Sequence, residues 1–307
     1  MTAARRAAVL GHPISHSRSP LLHSSAYRAL GVDIAYTAID TLPGQAEAFA
    51  QRLRTEPGWV GVSVTMPLKD ALIPHLDELS ERVQRLGALN TVVVQHRDGA
   101  VHLYGHNTDV DGIVGAMAGV LPARRPGDTP GAERRAAILG SGNTALAALE
   151  ACAELGLTQV DLVVRNPLRA ADALALAHTL GLECEAIDST VAGRRLAHYQ
   201  AVISTLPAHA ADGLVAPLGL DPEHSPDPGL RAPGAPAPGA VLLDVAYDPW
   251  PSVLATAWER AGGTVVSGLA MLLYQGVEQV KLFSGVQHAD WKHVTNVMCD
   301  AVGLSRP

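Results

Sequence analysis

The stretch "GVSVTMPLKD", residues 61–70, is apolar for most of its length and carries Lys69 at its far end, just before Asp70. Lysine is seldom buried alone, because stripping water from its charge costs several kcal/mol unless another group replaces it. Lys69 therefore calls for a partner. The best-placed carboxylate is Asp109 in "YGHNTDVDG", where Asn and Thr precede an acid at the start of a helical stretch. Together with "GALNT" at 87–91, this puts Asn90, Thr108 and Asp109 in loops near the end of a first domain, where small-molecule sites form. An amine facing a carboxylate in such a place is suited to moving a proton to or from a bound small molecule. The competing reading of Lys69 is an exposed lysine at a helix start.

A second group points to a nucleotide. In "GSGNTA", Gly140, Gly142 and Ala145 form G-x-G-x-x-A directly after an apolar strand and at the start of a helix. One glycine suits the tight turn, the next lets a pyrophosphate come close, and the small Ala145 lets the helix lie near the strand. N–H groups at the helix start face the anion. At the end of the following strand an acid would hold the ribose hydroxyl of NAD, whereas arginine pairs with the extra phosphate of NADP. The sequence there reads "VVRNPLR", with Arg165 and Arg169 and no acid between them, so NADP is favoured over NAD. The alternative is that Asn166 caps the next helix, Pro167 takes its first position and the arginines are merely solvated.

These residues need a scaffold of alternating strands and helices. Strands are expected at 6–10, 34–40, 59–65 and 91–95, with a helix at 19–30 capped by Ser19 with Pro20 at its first position, and another over 68–86 bent near Pro74. After a Pro/Gly-rich connector at 123–133 the rhythm restarts: strand, glycine turn, helix ended by Gly156, then strands at 159–164, 201–204, 240–245 and 264–266. The run 217–239 is too rich in proline and glycine for regular structure, and two helical stretches, 269–284 and 287–303, close the chain. The alternation is that of βαβ units with mostly parallel sheets.

Composition agrees. The 307 residues suffice for two domains, and 48% hydrophobic with only 4% aromatic residues implies cores of small aliphatic side chains. A net charge of −7 without a Lys/Arg cluster argues against nucleic acid, and no apolar run reaches the length of a membrane span. Three cysteines, Cys152, Cys184 and Cys299, lack C-x-x-C spacing, and the N-terminus lacks a signal-peptide core, so a soluble cytoplasmic protein is expected. The histidine pairs His12/His16 and His102/His106 have no third ligand nearby, so no metal is expected.

Seven segments, "GHPISHSRSP", "SVTMPLK", "GALNT", "GHNTD", "GSGNTA", "DVAY" and "SGLAMLLYQG", resemble the shikimate dehydrogenase family in order and spacing over nearly the whole chain. The resemblance implies an α/β substrate domain from 1–111 plus 269–307, a Rossmann-like doubly wound NADP domain at 112–268, and a deep cleft between them. It implies reversible NADP-dependent reduction of 3-dehydroshikimate to shikimate, in chorismate and aromatic amino acid biosynthesis. Lys69 matches the catalytic lysine, with Asp109 beside it. Ser15 and Ser17 match the pair that binds the substrate carboxylate. Thr65, Asn90, Asp109 and Gln275 match residues that grip the ring hydroxyls, with Thr108 next to Asp109, and Tyr247 matches a tyrosine beside the substrate. On the cofactor side, Gly140, Ser141, Gly142, Asn143 and Thr144 match the pyrophosphate turn, Arg165, Asn166 and Arg169 the clamp on the extra phosphate, and Val245 and Gly268 positions near the nicotinamide; Glu81 aligns with a residue sometimes placed near the cofactor. The chain departs from many members at Ser63, where they have Asn, at Asn143, where they have Gly, and at Val164-Arg165-Asn166, where they read N-R-T. A quinate or aminoshikimate dehydrogenase relative, and a non-catalytic NADP-binding regulator, are the competing readings. Relatives include monomers and dimers, and the sequence does not choose between them.

Overall fold

The computed structural model describes residues 4–122, 134–220 and 235–306; the connector expected at 123–133 and the middle of the Pro-rich run lie outside the described residues. In chain order come β1 (Arg5–Gly11), α1 (Ser19–Leu30), β2 (Ile34–Asp40), α2 (Ala46–Thr55), β3 (Trp59–Val64) and β4 (Glu78–Leu79). Next are α3 (Glu81–Leu86), β5 (Thr91–Arg97), β6 (Ala100–His106) and α4 (Asp109–Ala118). Then follow β7 (Arg135–Leu139), α5 (Asn143–Glu154), β8 (Gln159–Val163), α6 (Ala171–Thr179), β9 (Glu183–Ile187), α7 (Ser189–Arg195) and β10 (Tyr199–Ser204). The last are β11 (Val241–Asp244), α8 (Val253–Arg260), β12 (Thr264–Ser267), α9 (Gly268–Ser284) and α10 (Trp291–Val302). The chain forms two compact units, Met1–Gly112 with Leu272–Pro307, and Ile113–Met271, and it passes between them inside α4 and α9.

The first unit holds a six-stranded sheet in the order β2-β1-β3-β5-β6-β4. It is mixed rather than mostly parallel: β3–β5 and β5–β6 are antiparallel. The reason is a tight hairpin, with Asp98 (φ 53°) and Gly99 (φ 79°) between Arg97 and Ala100, two left-handed residues of the kind a two-residue hairpin turn requires. Residues alternate across this sheet. Ala7, Val9 and Val93 pack with Leu22 and Tyr27 of α1, Val277, Val280 and Phe283 of α9 and Met298 of α10. Ala8, Leu10, Val62, Val92 and Val94 face the opposite way, toward Phe49, Ala50 and Leu53 of α2.

The expected helix over 68–86 is not there. Only α3 is helical; before it the chain makes turns, a 3₁₀ segment at Ile73–His75 and the two-residue β4, which pairs with β6. Apolar residues in this stretch recur at helical spacing, but Pro74 has no N–H to give, and the edge of β6 offers a better partner: the Asp77 N–H donates to Leu103 O at 3.0 Å and the Leu103 N–H to Asp77 Oδ2 at 2.7 Å. The helix expected to follow a Ser19 cap instead has Ser19 as its first residue, with Arg18 in the cap position and no side-chain cap.

The second unit holds a parallel sheet in the order β12-β11-β10-β7-β8-β9. Counted from β7, this is the 3-2-1-4-5-6 order of doubly wound dinucleotide folds, with the switch point between β7 and β10. The described parts of the Pro-rich run, 217–220 and 235–239, contain neither helix nor strand.

Candidate active site

Lys69 lies just beyond β3, and its backbone is held in place: the Leu89 N–H donates to Lys69 O at 2.8 Å. Its ammonium donates to Asp109 Oδ2, and both residues are buried, 7% and 5% exposed. Asp109 begins α4, where its charge suits the helix N-terminus, and its N–H donates to Asn107 Oδ1 at 2.9 Å. Asn107 is itself anchored, its amide donating to Ala88 O at 3.0 Å.

Asn90 joins the group. Its amide donates to Asp109 Oδ1 at 2.9 Å, to Thr108 Oγ1 at 2.9 Å and to Gln275 Oε1 at 3.2 Å, while its Oδ1 accepts the Thr108 N–H at 2.8 Å. Gln275 arrives from α9, far along the chain, and Thr108 Oγ1 also donates to its backbone oxygen at 3.2 Å. Lys69, Asn90, Thr108, Asp109 and Gln275 therefore converge in one polar constellation. Two carboxylate oxygens are each occupied, one by an ammonium and one by an amide, so the ammonium's position is fixed by a carboxylate that is itself fixed. Such an array can give a proton to, or take one from, an oxygen placed beside Lys69.

Other expected residues lie in the same unit. Thr65 follows β3, half-buried, its N–H donating to Leu10 O at 2.8 Å. Ser15 is exposed; the half-buried Ser17 accepts the Ser19 N–H on its Oγ at 3.3 Å, so it also behaves as a turn residue. Glu81 is the exposed first residue of α3, after the cap Ser80.

In the second unit, β7 leads into Gly140, whose φ of 110° is closed to other residues in practice and where a Cβ would lie 2.8 Å from Thr205 Oγ1. Gly142 caps α5, Asn143 and Thr144 are its first residues, and Ser141 stands between the glycines. In the first turn of α5 the Ala145 N–H already donates to Gly142 O at 2.8 Å, so the N–H groups of Asn143 and Thr144 are the ones ahead of the helical ladder, and Ala145 is fully buried against the core, as close helix–strand packing requires. After β8, Asn166 Oδ1 accepts the Leu168 N–H at 3.1 Å and so caps the 3₁₀ turn Pro167–Ala170. Arg165 precedes that turn and Arg169 lies within it, both exposed, and among the described residues neither guanidinium has an ion pair or hydrogen bond. Capping and two free cations coexist here. Val245 and Gly268 are brought into contact: a Cβ on Gly268 would lie 2.1 Å from Val245 O, so the residue starting α9 has to be glycine. Tyr247 is half-buried two residues beyond Val245. A turn open to backbone approach and a pair of unengaged guanidiniums fit a phosphorylated dinucleotide.

Residues 9–92 match the family model described as the shikimate dehydrogenase substrate binding domain. An NADP(+) shikimate dehydrogenase of Thermus thermophilus is 37% identical over 288 residues, 92% of this chain and 93% of its own. The chain belongs to the shikimate dehydrogenase family. Among solved members of the shikimate dehydrogenase family, the Mycobacterium tuberculosis enzyme superposes with a TM-score of 0.77 at 37% identity, covering 96% of this chain and 99% of that one. A Thermus thermophilus enzyme solved in complex with NADP(H) and shikimate gives 0.70 at 31% identity over 97% and 99%.

Two residues not singled out in the sequence touch the polar constellation: Asn107, and Gln279, whose amide donates to Asn90 O at 3.1 Å. Asn107 is the Asn of the "HNTD" segment and caps Asp109 from two residues upstream, a local pattern visible in sequence. Gln279 is 1% exposed and lies one helical turn beyond Gln275 on the same face of α9, a placement that marks it only once that face is known to be buried. No helix among the described residues is long and apolar enough to cross a membrane.

Proposed function

We propose that this protein is an NADP-dependent shikimate dehydrogenase, acting in the cytoplasm and reducing 3-dehydroshikimate reversibly to shikimate. The observation that carries the reading is the buried pair Lys69–Asp109 embedded in amides from Asn90 and Gln275. The names of the relatives, at 37% identity over most of the chain, support the same substrate and cofactor.

In this reading Lys69 handles the proton. During alcohol oxidation a base must accept the hydroxyl proton as the carbon gives up a hydride; in the reverse direction the ammonium donates to the developing alkoxide. NADP, when bound, supplies the hydride chemistry. Asp109 holds the ammonium in place and, through its neighbours, the ring hydroxyls, which Asn90, Thr108, Thr65 and Gln275 grip. Ser15 and Ser17 bind the carboxylate, and Tyr247 contributes beside the substrate. Residues 1–111 with 269–307 serve the substrate and residues 112–268 the cofactor. The N–H groups of Gly140, Ser141, Gly142, Asn143 and Thr144 would hold the pyrophosphate, Arg165 and Arg169 with Asn166 the extra phosphate, and Val245 and Gly268 the nicotinamide side, with Glu81 a further candidate.

The test is NADP⁺ reduction followed by NADPH absorbance with shikimate and quinate assayed side by side. Shikimate is expected to be turned over in preference. A response to quinate alone would replace the substrate, and no turnover with either alongside tight NADP⁺ binding would favour the regulator.

A further inference from the structure

Behind the constellation lies a second, wholly buried set of polar side chains that the reaction does not explain: His23, Tyr36, Ser63, Thr91 and Gln279. Their bonds form one chain. Tyr36 OH donates to Ser63 Oγ at 2.7 Å, Ser63 donates to Gln279 Oε1 at 2.6 Å, and Gln279 Nε2 donates to Asn90 O at 3.1 Å and Thr91 Oγ1 at 2.9 Å. Thr91 Oγ1 then donates to Asn90 Oδ1 at 2.8 Å. The chain ends on the amide that holds Asp109.

The direction of every bond follows from two backbone groups that cannot change role. Asn90 O is only an acceptor, so the nitrogen of the Gln279 amide must face it, and the amide oxygen must face Ser63. His23 Nε2, 3.3 Å from that same oxygen, must then carry its proton, which leaves Nδ1 to accept from Tyr27 OH at 3.1 Å. The Thr108 N–H is only a donor, so the Asn90 oxygen faces it and the Asn90 nitrogen is turned toward the Asp109 carboxylate. Because Gln279 already donates to Thr91 Oγ1, the Thr91 hydroxyl proton is free to point at Asn90 Oδ1 and nowhere else. The relay thus adds a second donor, the Thr91 hydroxyl, that holds the Asn90 amide in the orientation the Thr108 N–H requires. A flipped amide would aim its oxygen at Asp109, two acceptors facing each other in a buried site, and the carboxylate that holds Lys69 would move.

We propose that Gln279 is a positioning residue for the reaction, acting through the Thr91 hydroxyl to fix the Asn90 amide and with it the Asp109–Lys69 pair. Ser63 is part of the same device: its hydroxyl accepts from Tyr36 and donates to Gln279 with one atom. The proposal rests on the shikimate dehydrogenase reading for its kinetic readout and on the structure alone for its spectroscopic one.

The experiment compares wild type with Gln279→Met, Thr91→Val, Thr91→Ser and the Gln279→Met/Thr91→Val double variant. Losing one well-made buried hydrogen bond predicts a fall of about ten-fold in kcat/KM for shikimate, with KM for NADP⁺ within about two-fold of wild type. Thr91→Ser, which keeps the hydroxyl, should stay near wild type. The double variant should lose no more than the worse single one, since both cut the same relay. In ¹⁵N NMR spectra of the ligand-free protein, the Asn90 side-chain amide protons should shift and exchange faster in both Met and Val variants. Should Gln279→Met fail to fold, Thr91→Val and Thr91→Ser carry the test by themselves. Wild-type kcat/KM in variants whose only change is a lower melting temperature, or independent additive losses, or an unmoved Asn90 signal, would overturn the proposal. A wild type that turns over no shikimate while the Asn90 signal still responds would overturn the function and leave the relay standing.

Discussion

Breaking a buried ion pair by deleting one partner leaves an uncompensated charge, at a cost of roughly 3–5 kcal/mol. At Lys69 and Asp109 that cost and the chemical loss fall on the same atoms, so the variants have to separate them. Lys69→Ala should lower kcat for shikimate oxidation by about 10²–10⁴-fold, the usual worth of a positioned proton carrier. Lys69→Ala with Asp109→Asn should recover folding stability, measured by melting temperature, without recovering kcat. Full kcat in Lys69→Ala with unchanged substrate affinity would remove the role. Lys69 was legible in the sequence because it is a charge in a setting that otherwise reads as interior, and Asp109 because it is an acid in an Asn/Thr turn at the start of a helical stretch. Gln279 was not legible as a contributor, since a glutamine on an amphipathic helix reads equally well as solvated until the face it occupies is known to be buried.

Elements decide where those residues arrive. The strand–turn–helix at β7–α5 was legible because its glycines, its small Ala145 and its flanking apolar strand all point to one geometry. The stretch 68–86 was misread because apolar spacing reports which side faces inward and says nothing of a competing strand edge, here β6. The β5–β6 hairpin had a signal in the Asp98-Gly99 dipeptide between two apolar runs. The turn after β8 carries its own prediction. With the 3₁₀ segment capped by Asn166, Arg165 and Arg169 have no structural duty among the described residues, so Arg165→Ser with Arg169→Ser should leave the melting temperature near wild type. KM for NADP⁺ should rise by about ten- to hundred-fold, as when charge-assisted bonds to a phosphate are lost, while the weaker use of NAD⁺ is unaffected. Equal losses with both cofactors would show that the arginines do not read the phosphate.

For the molecule as a whole, the buried His23 makes stability depend on acid. Burial pushes its imidazole down to about 3 from the ordinary 6.5, against a smaller opposing pull from the bond to Gln279. Below 6.5 the unfolded chain takes up a proton that the folded one refuses until about 3, so stability is intact above 6.5 and falls as the pH drops through that window. The contribution approaches about 1.4 kcal/mol per pH unit within the window. Melting temperatures of wild type and His23→Gln between these limits should therefore converge in slope at neutral pH and diverge on acidification, with wild type the steeper; parallel curves would place the acid sensitivity elsewhere. Neither this histidine's burial nor its link to the site was legible, because both depend on α1 meeting α9 on one face of the sheet, a pairing between distant parts of the chain.

The first unit is assembled from residues 1–112 and 272–307, with the second spliced between them. A ribosome delivering this polypeptide therefore emits β1 to β6 long before α9 and α10, and the apolar face carrying Val9, Leu22, Tyr27 and Val93 has to wait for Val277, Val280, Phe283 and Met298. Meanwhile all of the intervening unit emerges and has time to become native. The nascent protein consequently passes through a period in which its second unit is finished while one apolar face of the first unit's sheet is still uncovered. That interval, rather than the mature fold, is where a chaperone would be needed most.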